Sequence, residues 1–253
     1  MNDTPPIGGV WNKLYIWNGS TDTSWYSENN NEFTINTPEQ LAGLAFLVNI
    51  GKDNFEGKII KLLEDIALNN TANWRDWGKR GKGKNAPANK WIPIGCYSCD
   101  DDEFYPFCGT FDGNGKVVSG IYINDKEEGN QGLFGCTESA EIKNLGLTDS
   151  YINGFGNIGG LAGNNFDSII NNCYSACTVK GIIAVGGLIG WNHGKMISDC
   201  YFTGKVIADI GGGGLVGRNY GQISNSYSSG TVKGTKAQGQ SEIGELVGFD
   251  GFD

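Results

Sequence analysis

The sequence is poor in several residue types that mark common protein classes. Its 253 residues include 6 prolines, a single histidine and three arginines (Arg75, Arg80 and Arg218). Scarce proline without a strict Gly-X-Y period excludes a collagen-like chain. Scarce arginine and a net charge of −9 leave no basic footprint for a nucleic acid. No apolar run approaches the ~20 residues of a membrane-spanning helix, so we expect no direct membrane insertion.

Glycine and asparagine are abundant instead. The chain has 41 glycines, of which 27 lie in residues 129–253, and 27 asparagines. Each glycine inside a helix costs about 1 kcal/mol relative to alanine, which argues against long helices. An apolar share of 39% with 11% aromatic residues is enough for a buried core, unlike in a disordered linker. The composition therefore indicates a β-rich chain with many tight turns.

Two short motifs recur in step through the second half. A Gly-Leu motif, followed two residues later by glycine, begins at Gln131, Gly159, Gly186, Gly213 and Gly244. A second motif of alternating character begins at Ile142, Ile170, Ile197 and Ile223. The spacing is 26 to 28 residues except for the last Gly-Leu interval, which is 31. Self-similarity at such a period is typical of a repeat architecture.

Each unit holds three short alternating runs separated by glycine, asparagine and aspartate, which predicts three strands. Such short strands bury their inward side chains only when neighbouring coils stack. Propeller blades need about 40 residues, and leucine-rich repeats have a different Leu and Asn spacing. Because parallel crossovers are nearly always right-handed, we predict an all-β, right-handed parallel β-helix with about 27 residues per coil.

Stacking also predicts columns of equivalent residues about 4.8 Å apart. The four Ile residues of the second motif should form one inward column. A second inward column contains Leu145, Cys173, Cys200 and Ser226. Two columns of corner residues contain Asn165, Asn192 and Asn219, and Asn144, Asn172, Asp199 and Asn225. Stacked asparagines can hydrogen-bond along the helix axis, so we interpret these columns as scaffold.

One helix is predicted near the N-terminus. Thr37 is suited to the N-cap, Pro38 to the first helical position and Gly51 to the end, with apolar residues at helical spacing between them. We expect residues 37–50 to cap the first coil, because such a helix covers an open strand edge. The whole chain is then one β-helix domain, with an N-terminal segment (1–36), the helix, first coils with inserts (51–128) and regular coils (129–253).

The five Gly-Leu segments resemble the GLUG motif of bacterial cell-surface proteins, which include adhesin-like proteins and regions attached to IgA-cleaving metallopeptidases. The preceding stretch resembles the usual N-terminal partner of those repeats, in the segments Phe33–Ala45, Val48–Asn49, Phe55–Lys58, Glu64–Leu68, Trp91–Gly95 and Gly109–Gly115. The resemblance covers about residues 25–253 and implies an extracellular or cell-surface scaffold within a longer parent protein. The first residues show no signal peptide. Two inserts depart from the family pattern, one before Trp91 and one after Gly95.

The first insert supplies the candidate binding site. Residues 74–90 carry six basic residues against Asp76 alone. Cations pair with acidic groups and aromatic rings stack on sugars, so this segment is a candidate for binding an anionic glycan or a cell-wall polymer. The candidate contacts are Trp74, Arg75, Trp77, Lys79, Arg80 and Trp91. The same composition also fits, and more simply, a mobile, solvated loop anchored by two buried tryptophans.

The second insert contains Cys96, Cys99 and an acidic run, Asp100–Glu103. Cys96 and Cys99 with Cys108 are a weak zinc candidate without an evident fourth ligand, and a local disulfide fits equally well. The acidic run does not match an EF-hand loop, so a solvated loop is expected rather than a calcium site. For Cys173 and Cys200 we expect free core thiols rather than a disulfide, since Ser226 and Leu145 occupy equivalent positions. No cofactor is expected.

Catalytic signatures are weak. A single histidine, His193, excludes a zinc peptidase motif with two histidine ligands, and we expect it in an exposed turn. Four aspartates of the repeats, Asp149, Asp167, Asp199 and Asp209, do not share one column, whereas glycosidases need two converging carboxyls. We therefore expect a non-catalytic surface module that serves adhesion, ligand binding or rigid spacing, with a glycan or protein as partner. The alternative is a carbohydrate-active β-helix enzyme, a polysaccharide lyase or a glycosidase.

Overall fold

The computed structural model describes residues 15–79, 86–97, 104–235 and 242–251. These residues form a parallel β-solenoid of about 7 turns with ~27 residues per coil and one helix near the N-terminus. The predicted β-helix and its N-terminal helix are therefore confirmed. Arg80 and Cys99, and the acidic run at 100–103, lie outside the described residues.

The first half contains the helix and short strands. The elements are β1 (Glu32–Ile35), α1 (Pro38–Asn49), β2 (Ile59–Leu62), β3 (Ile66–Ala67), a 3₁₀ turn (Trp74–Asp76), β4 (Cys96–Tyr97), β5 (Phe104–Tyr105), β6 (Thr110–Ser119) and β7 (Tyr122–Asn124). Strands β4 and β5 form an antiparallel pair in the second insert. The inserts thus interrupt coils that the flanking strands complete.

The regular coils follow. Their strands are β8 (Phe134–Glu138), β9 (Glu141–Thr148), β10 (Tyr151–Asn153), β11 (Gly156–Ile158), β12 (Ala162–Phe166), β13 (Ile169–Ser175), β14 (Thr178–Gly186), β15 (Ile189–His193), β16 (Met196–Ser198), β17 (Tyr201–Phe202), β18 (Lys205–Gly213), β19 (Val216–Asn219), β20 (Gln222–Ser224), β21 (Tyr227–Ser228), β22 (Thr231–Gly234), β23 (Ile243–Gly244) and β24 (Val247–Asp250).

Three parallel sheets run along the solenoid. Sheet A has the order β1-β2-β6-β9-β13-β16-β20, sheet B the order β22-β18-β14-β10-β7, and sheet C the order β24-β19-β15-β12-β8. The inward side chains of all three sheets form one continuous apolar core. The predicted Ile column is present, because Ile170 pairs in register with both Ile142 and Ile197, and Ile197 pairs with Ile223.

The cysteine column is also confirmed. Cys173 and Cys200 are buried and free, with the backbone N–H of Cys173 3.4 Å from Sγ of Cys200. The next member, Ser226, accepts a hydrogen bond from the backbone N–H of Cys200 at 3.1 Å. Cys200 and Ser226 therefore share the property of accepting from the backbone of the neighbouring coil, while Leu145 fills the same column with an apolar side chain.

A buried asparagine ladder ties sheet C together. Asn165 Nδ2 donates to Asn192 Oδ1 at 2.7 Å, and Asn192 Nδ2 donates to Asn219 Oδ1 at 2.8 Å. Thr137 Oγ1 extends the ladder by donating to Asn165 Oδ1. Buried amides are costly unless they are hydrogen-bonded, and here each coil satisfies the next. The predicted scaffold role of this column is confirmed by these bonds.

The second asparagine column lies at a corner of four successive coils. Asn144, Asn172, Asp199 and Asn225 all have left-handed backbone conformation, with φ between 44° and 55°. Their side chains bond to neighbouring coils, as in the 2.8 Å bond from Asn172 Nδ2 to Asn144 Oδ1. Asparagine and aspartate tolerate this conformation better than other residues with side chains, which explains their recurrence at the corner.

The motif glycines are needed for close packing rather than for positive φ. At Gly187 an added Cβ would lie 2.1 Å from the carbonyl oxygen of Gly214 and 2.3 Å from the Phe202 ring. Helix α1 caps the core as predicted: the Thr37 side chain accepts from the Gln40 N–H, and Leu41, Leu44 and Val48 are buried. The helix follows β1 and packs its apolar side into the same core as the coils.

Candidate functional site

One outward column of sheet B changes character along the solenoid. Tyr122 and Tyr151 are in register on β7 and β10, Thr178 and Lys205 continue the column on β14 and β18, and Thr231 follows on β22. The two tyrosine rings stack with centroids 6.1 Å apart. On the later coils, Thr178 and Lys205 occupy the positions equivalent to these two rings.

The first insert folds over the two tyrosines. The Trp77 ring is 4% exposed and meets the Tyr122 ring edge-on, with centroids 5.6 Å apart. Gly78, at φ +76°, lies against the Tyr151 ring, where a Cβ would come within 2.1 Å of the ring carbon Cζ. Trp74 packs on the same aromatic cluster. These contacts hold residues 74–79 of the insert beside the coils that carry Thr178 and Lys205.

A groove of about 660 Å³ opens between the insert and the coils. Its charged lining residues are Arg75, Lys79, Lys180, Lys205 and Asp149, which gives four cations against one carboxylate. Lys79 Nζ lies 2.7 Å from Asp76 Oδ1. Within the described residues, neither Arg75, Lys180 nor Lys205 forms a salt bridge. A chain of net charge −9 therefore carries a locally basic groove with cations available to a ligand.

Arg75 and Trp74 form a unit at the wall of this groove. Cζ of Arg75 lies 4.9 Å from the centroid of the Trp74 ring, within cation–π range. Arg75 is exposed, whereas Trp74 is half-buried against the aromatic cluster. The backbone between them is a 3₁₀ turn, in which the N–H of Trp77 donates to the carbonyl of Trp74 at 3.0 Å.

Comparison with known proteins identifies the coils next to this groove. The sequence model of the GLUG motif matches residues 181–207 and 209–233. These two coils are GLUG repeats. The matched region of the first coil contains Lys205 and Ile207, which line the groove. The resemblance expected from the Gly-Leu segments is thereby confirmed.

Two further similarities extend over more of the chain. A protein of Evansella cellulosilytica named "Putative Gly-rich membrane protein" is 33% identical over 162 residues, which make up 62% of this chain and 16% of that relative. The crystal structure of a "putative immunoglobulin A1 protease" from Bacteroides ovatus aligns with a TM-score of 0.57 at 17% identity, over 87% of this chain and 62% of that one. The second similarity is one of fold alone. The chain spans only part of both proteins.

The predicted site residues divide into two groups. Trp74, Arg75, Trp77 and Lys79 come together at the groove. Trp91 does not, because its ring is 4% exposed, packs edge-on at 5.9 Å against Trp17, and donates from Nε1 to the Leu133 carbonyl. Trp91 is a core side chain of the first coils, and the buried Trp77 contributes support rather than an open ring face.

Sequence reasoning missed the contribution of the GLUG coils to the groove. Lys180 and Lys205 sit at ordinary outward positions of their strands, and no local motif distinguishes them. The available signal was the column itself: aligning the repeats places Lys205 where earlier coils have Tyr122 and Tyr151. The column did not reveal that the insert would lie beside this lysine.

The other candidate residues lie elsewhere. His193 ends β15 and is exposed, as expected, but it stacks between Phe166 at 5.6 Å and Tyr220 at 4.7 Å. Partial burial and the nearby Arg218 guanidinium lower the pKa of His193. Burial raises the pKa of Cys108 to about 11. In the described part of the chain, no three His, Cys, Asp or Glu side chains are grouped to hold a metal, and the zinc candidate involving Cys99 stays a prediction.

The described lining of the groove does not supply the side chains that the alternative, a carbohydrate-active enzyme, would use. Asp149 is the single carboxylate among its described lining residues, whereas hydrolysis of a glycosidic bond uses a pair. Burial, with a smaller effect of Tyr122, raises the pKa of Tyr151, so its hydroxyl is a poor base at neutral pH. No helix among the described residues has both the length and the apolar character to cross a membrane.

Proposed function

We propose that this chain is a non-catalytic module of a surface-displayed protein, and that its basic groove binds an anionic glycan. The observation that carries the proposal is the convergence of Arg75, Lys180 and Lys205, all without salt bridges in the described structure, on one groove with an aromatic wall. The β-helix gives the groove a rigid base, because each coil is held by ladders to its neighbours.

Electrostatics supports an anionic ligand. The net charge of the chain is negative, so a polyanion is repelled by the protein as a whole and attracted to this basic groove. Charged contacts of this kind favour fast, salt-sensitive binding and correct orientation. The cations come from two different parts of the chain, the insert and strands β14 and β18. Folding brings them together at the groove.

The surface location is part of the same proposal. The Evansella relative is named as a membrane protein, and GLUG repeats were expected in cell-surface proteins from the sequence resemblance. A displayed module that binds an acidic glycan would act in adhesion to a cell wall or to another cell. A module without ligand would serve as a rigid spacer, which is the alternative outcome of the experiment below.

The test is a binding titration with polygalacturonate, heparin and neutral dextran. We expect the two polyanions to bind, with affinity falling as salt rises, and dextran not to bind. Lys180→Gln/Lys205→Gln should weaken polyanion binding at least about tenfold, since two charge-assisted contacts are lost. The matched control is Lys61→Gln/Lys116→Gln, which removes the same charge from sheet A and should have little effect.

Three results would contradict the proposal. Absence of polyanion binding would leave only the spacer role. Equal losses in the groove variant and the sheet A control would indicate a nonspecific charge effect. Release of unsaturated or reducing ends from polygalacturonate during incubation would favour the carbohydrate-active enzyme instead.

A further inference from the structure

We infer that Arg75, held on the Trp74 ring, is a carboxylate receptor, and that the ligand of the groove is a uronic-acid chain lying across successive coils. This inference rests on the proposed function, since it names the chemical class of the anion that the groove binds. It depends on the geometry of three groups: the Trp74–Arg75 pair, Lys180 and Lys205.

The Trp74 ring has a different role from the one that its residue type suggests. An open ring face would stack on a sugar, but one side of Trp74 carries the Arg75 guanidinium at 4.9 Å, and the ring also packs on the cluster of Trp77, Tyr122 and Tyr151. Trp74 is therefore a positioning residue. Its ring face limits the positions that the exposed Arg75 guanidinium takes beside the groove.

A guanidinium held in this way discriminates among anions. Its planar fork of N–H donors matches the two oxygens of a carboxylate, and holding the fork in place reduces the entropy lost on binding. Lysine is a point charge without this geometric preference. Lys180 and Lys205 therefore supply attraction to any anion, while Arg75 supplies the preference for a planar carboxylate.

The register of the coils indicates a polyanion rather than a single acid. Lys205 is in register with Thr178, so Lys180 lies one coil away and two residues further along the strand. From the strand spacing and the rise per residue, the two Cα atoms are about 8 Å apart. Arg75 lines the same groove from the insert. Three separated cations fit a chain that presents a carboxylate on successive sugar units.

The experiment measures binding of trigalacturonate and of a dextran sulfate oligosaccharide, which has sulfates but no carboxylates, to the unaltered protein and to four variants. For trigalacturonate, Arg75→Lys should weaken binding about tenfold although the charge is kept, and Trp74→Leu should weaken it to a similar extent. The double variant should be no weaker than either single variant, because both remove the same positioned contact. Trp74→Phe, which keeps a ring under Arg75, should retain most of the affinity. Dextran sulfate binding should change less than about threefold in Arg75→Lys, since sulfate contacts tolerate a point charge.

The outcomes separate this inference from the proposed function. Unchanged trigalacturonate affinity in Arg75→Lys, or multiplicative losses in the double variant, would overturn the inference while polyanion binding itself remained. Multiplicative losses would mean that Trp74 contacts the sugar directly. An equal loss of dextran sulfate and trigalacturonate affinity in Arg75→Lys would also overturn it. Loss of all polyanion binding in the unaltered protein would overturn the proposed function first.

Discussion

The regular coils and the insert that covers Tyr122 and Tyr151 are stabilised by different kinds of contact. In the coils, equivalent positions recur about every 27 residues. Hydrogen-bonded ladders such as Asn165–Asn192–Asn219 connect one coil to the next. In the described structure, residues 74–79 of the insert show no such ladder, and aromatic contacts, those of Trp77 and Gly78 above all, hold them. Repetition gives a stable scaffold. The insert, which interrupts the repeat, forms a basic groove with an aromatic wall.

The largest expected effect comes from crowding the coil interior. Gly187→Ala places a Cβ within 2.1 Å of the Gly214 carbonyl oxygen, a backbone atom that the stacked coils hold in place. We expect a loss of about 3 kcal/mol in unfolding free energy, measured by chemical denaturation. Gly156→Ala is the matched control, since its Cβ would meet only ordinary contacts at 3.6 Å and should cost under about 1 kcal/mol. Equal losses would contradict the close-packing account of the motif glycines.

Breaking the buried ladder should have the next largest effect. Asn192→Ala leaves Asn165 Nδ2 and the Gly194 N–H without their acceptor inside the solenoid, at a cost of about 2 kcal/mol. The half-buried Asn171 offers a control, because its Nδ2 bonds to Ser198 Oγ near the surface, where water can replace the partner. Asn171→Ala should cost less than about 1 kcal/mol. Denaturation of both variants decides, and a reversed order would refute the scaffold role of the ladder.

A change at Gly78 should affect the insert and spare the coils. Gly78→Ala is strained at φ +76° and drives its Cβ into the Tyr151 ring, so we expect faster hydrogen exchange in residues 71–79. Global unfolding free energy should fall by less than about 1 kcal/mol, because the aromatic contacts of the insert open locally. Gly57→Ala has similar backbone strain at φ +69° but no atoms within 4 Å, and therefore isolates the ring contact. Exchange that rises equally in every coil would contradict this separation.

The smallest effect concerns pH. The pKa of His193 is lowered from 6.5 in the folded chain, so protonation favours the unfolded state. Its contribution to stability is therefore fully present above about pH 6.5 and declines as the pH falls through the lowered value. His193→Phe keeps a ring between Phe166 and Tyr220 but removes the titration. The difference in melting temperature between the two proteins should change from pH 7 to pH 5, and a constant difference would show that His193 does not titrate with folding.

Much of the fold could be predicted because the spacing of equivalent residues in a repeat equals the length of one coil. The spacing of Ile142, Ile170, Ile197 and Ile223 fixed the coil length, and the capping residues around Thr37 fixed the helix. Small inward residues at Cys173, Cys200 and Ser226 predicted a column of free thiols. In each case a local pattern and a long-range contact coincide, since equivalent residues in successive coils must meet.

The candidate site was only partly predictable for the opposite reason. Trp74, Arg75 and Lys79 stood out by composition, but composition does not separate a ring on the surface from one in the core, and Trp91 belongs to the core. Lys180 and Lys205 reach the groove because the insert docks on Tyr122 and Tyr151, in a contact that has no sequence period. A non-repeating contact of this kind requires the folded structure.

An anionic chain is proposed to bind where the insert meets strands β14 and β18. A crystal structure of the protein with trigalacturonate is the most direct test of this binding. We predict that the ligand lies in the groove beside Trp74, with one carboxylate paired with Arg75 and others near Lys180 and Lys205. Ligand bound on another face, or a ligand in the groove whose carboxylates avoid all three cations, would contradict it.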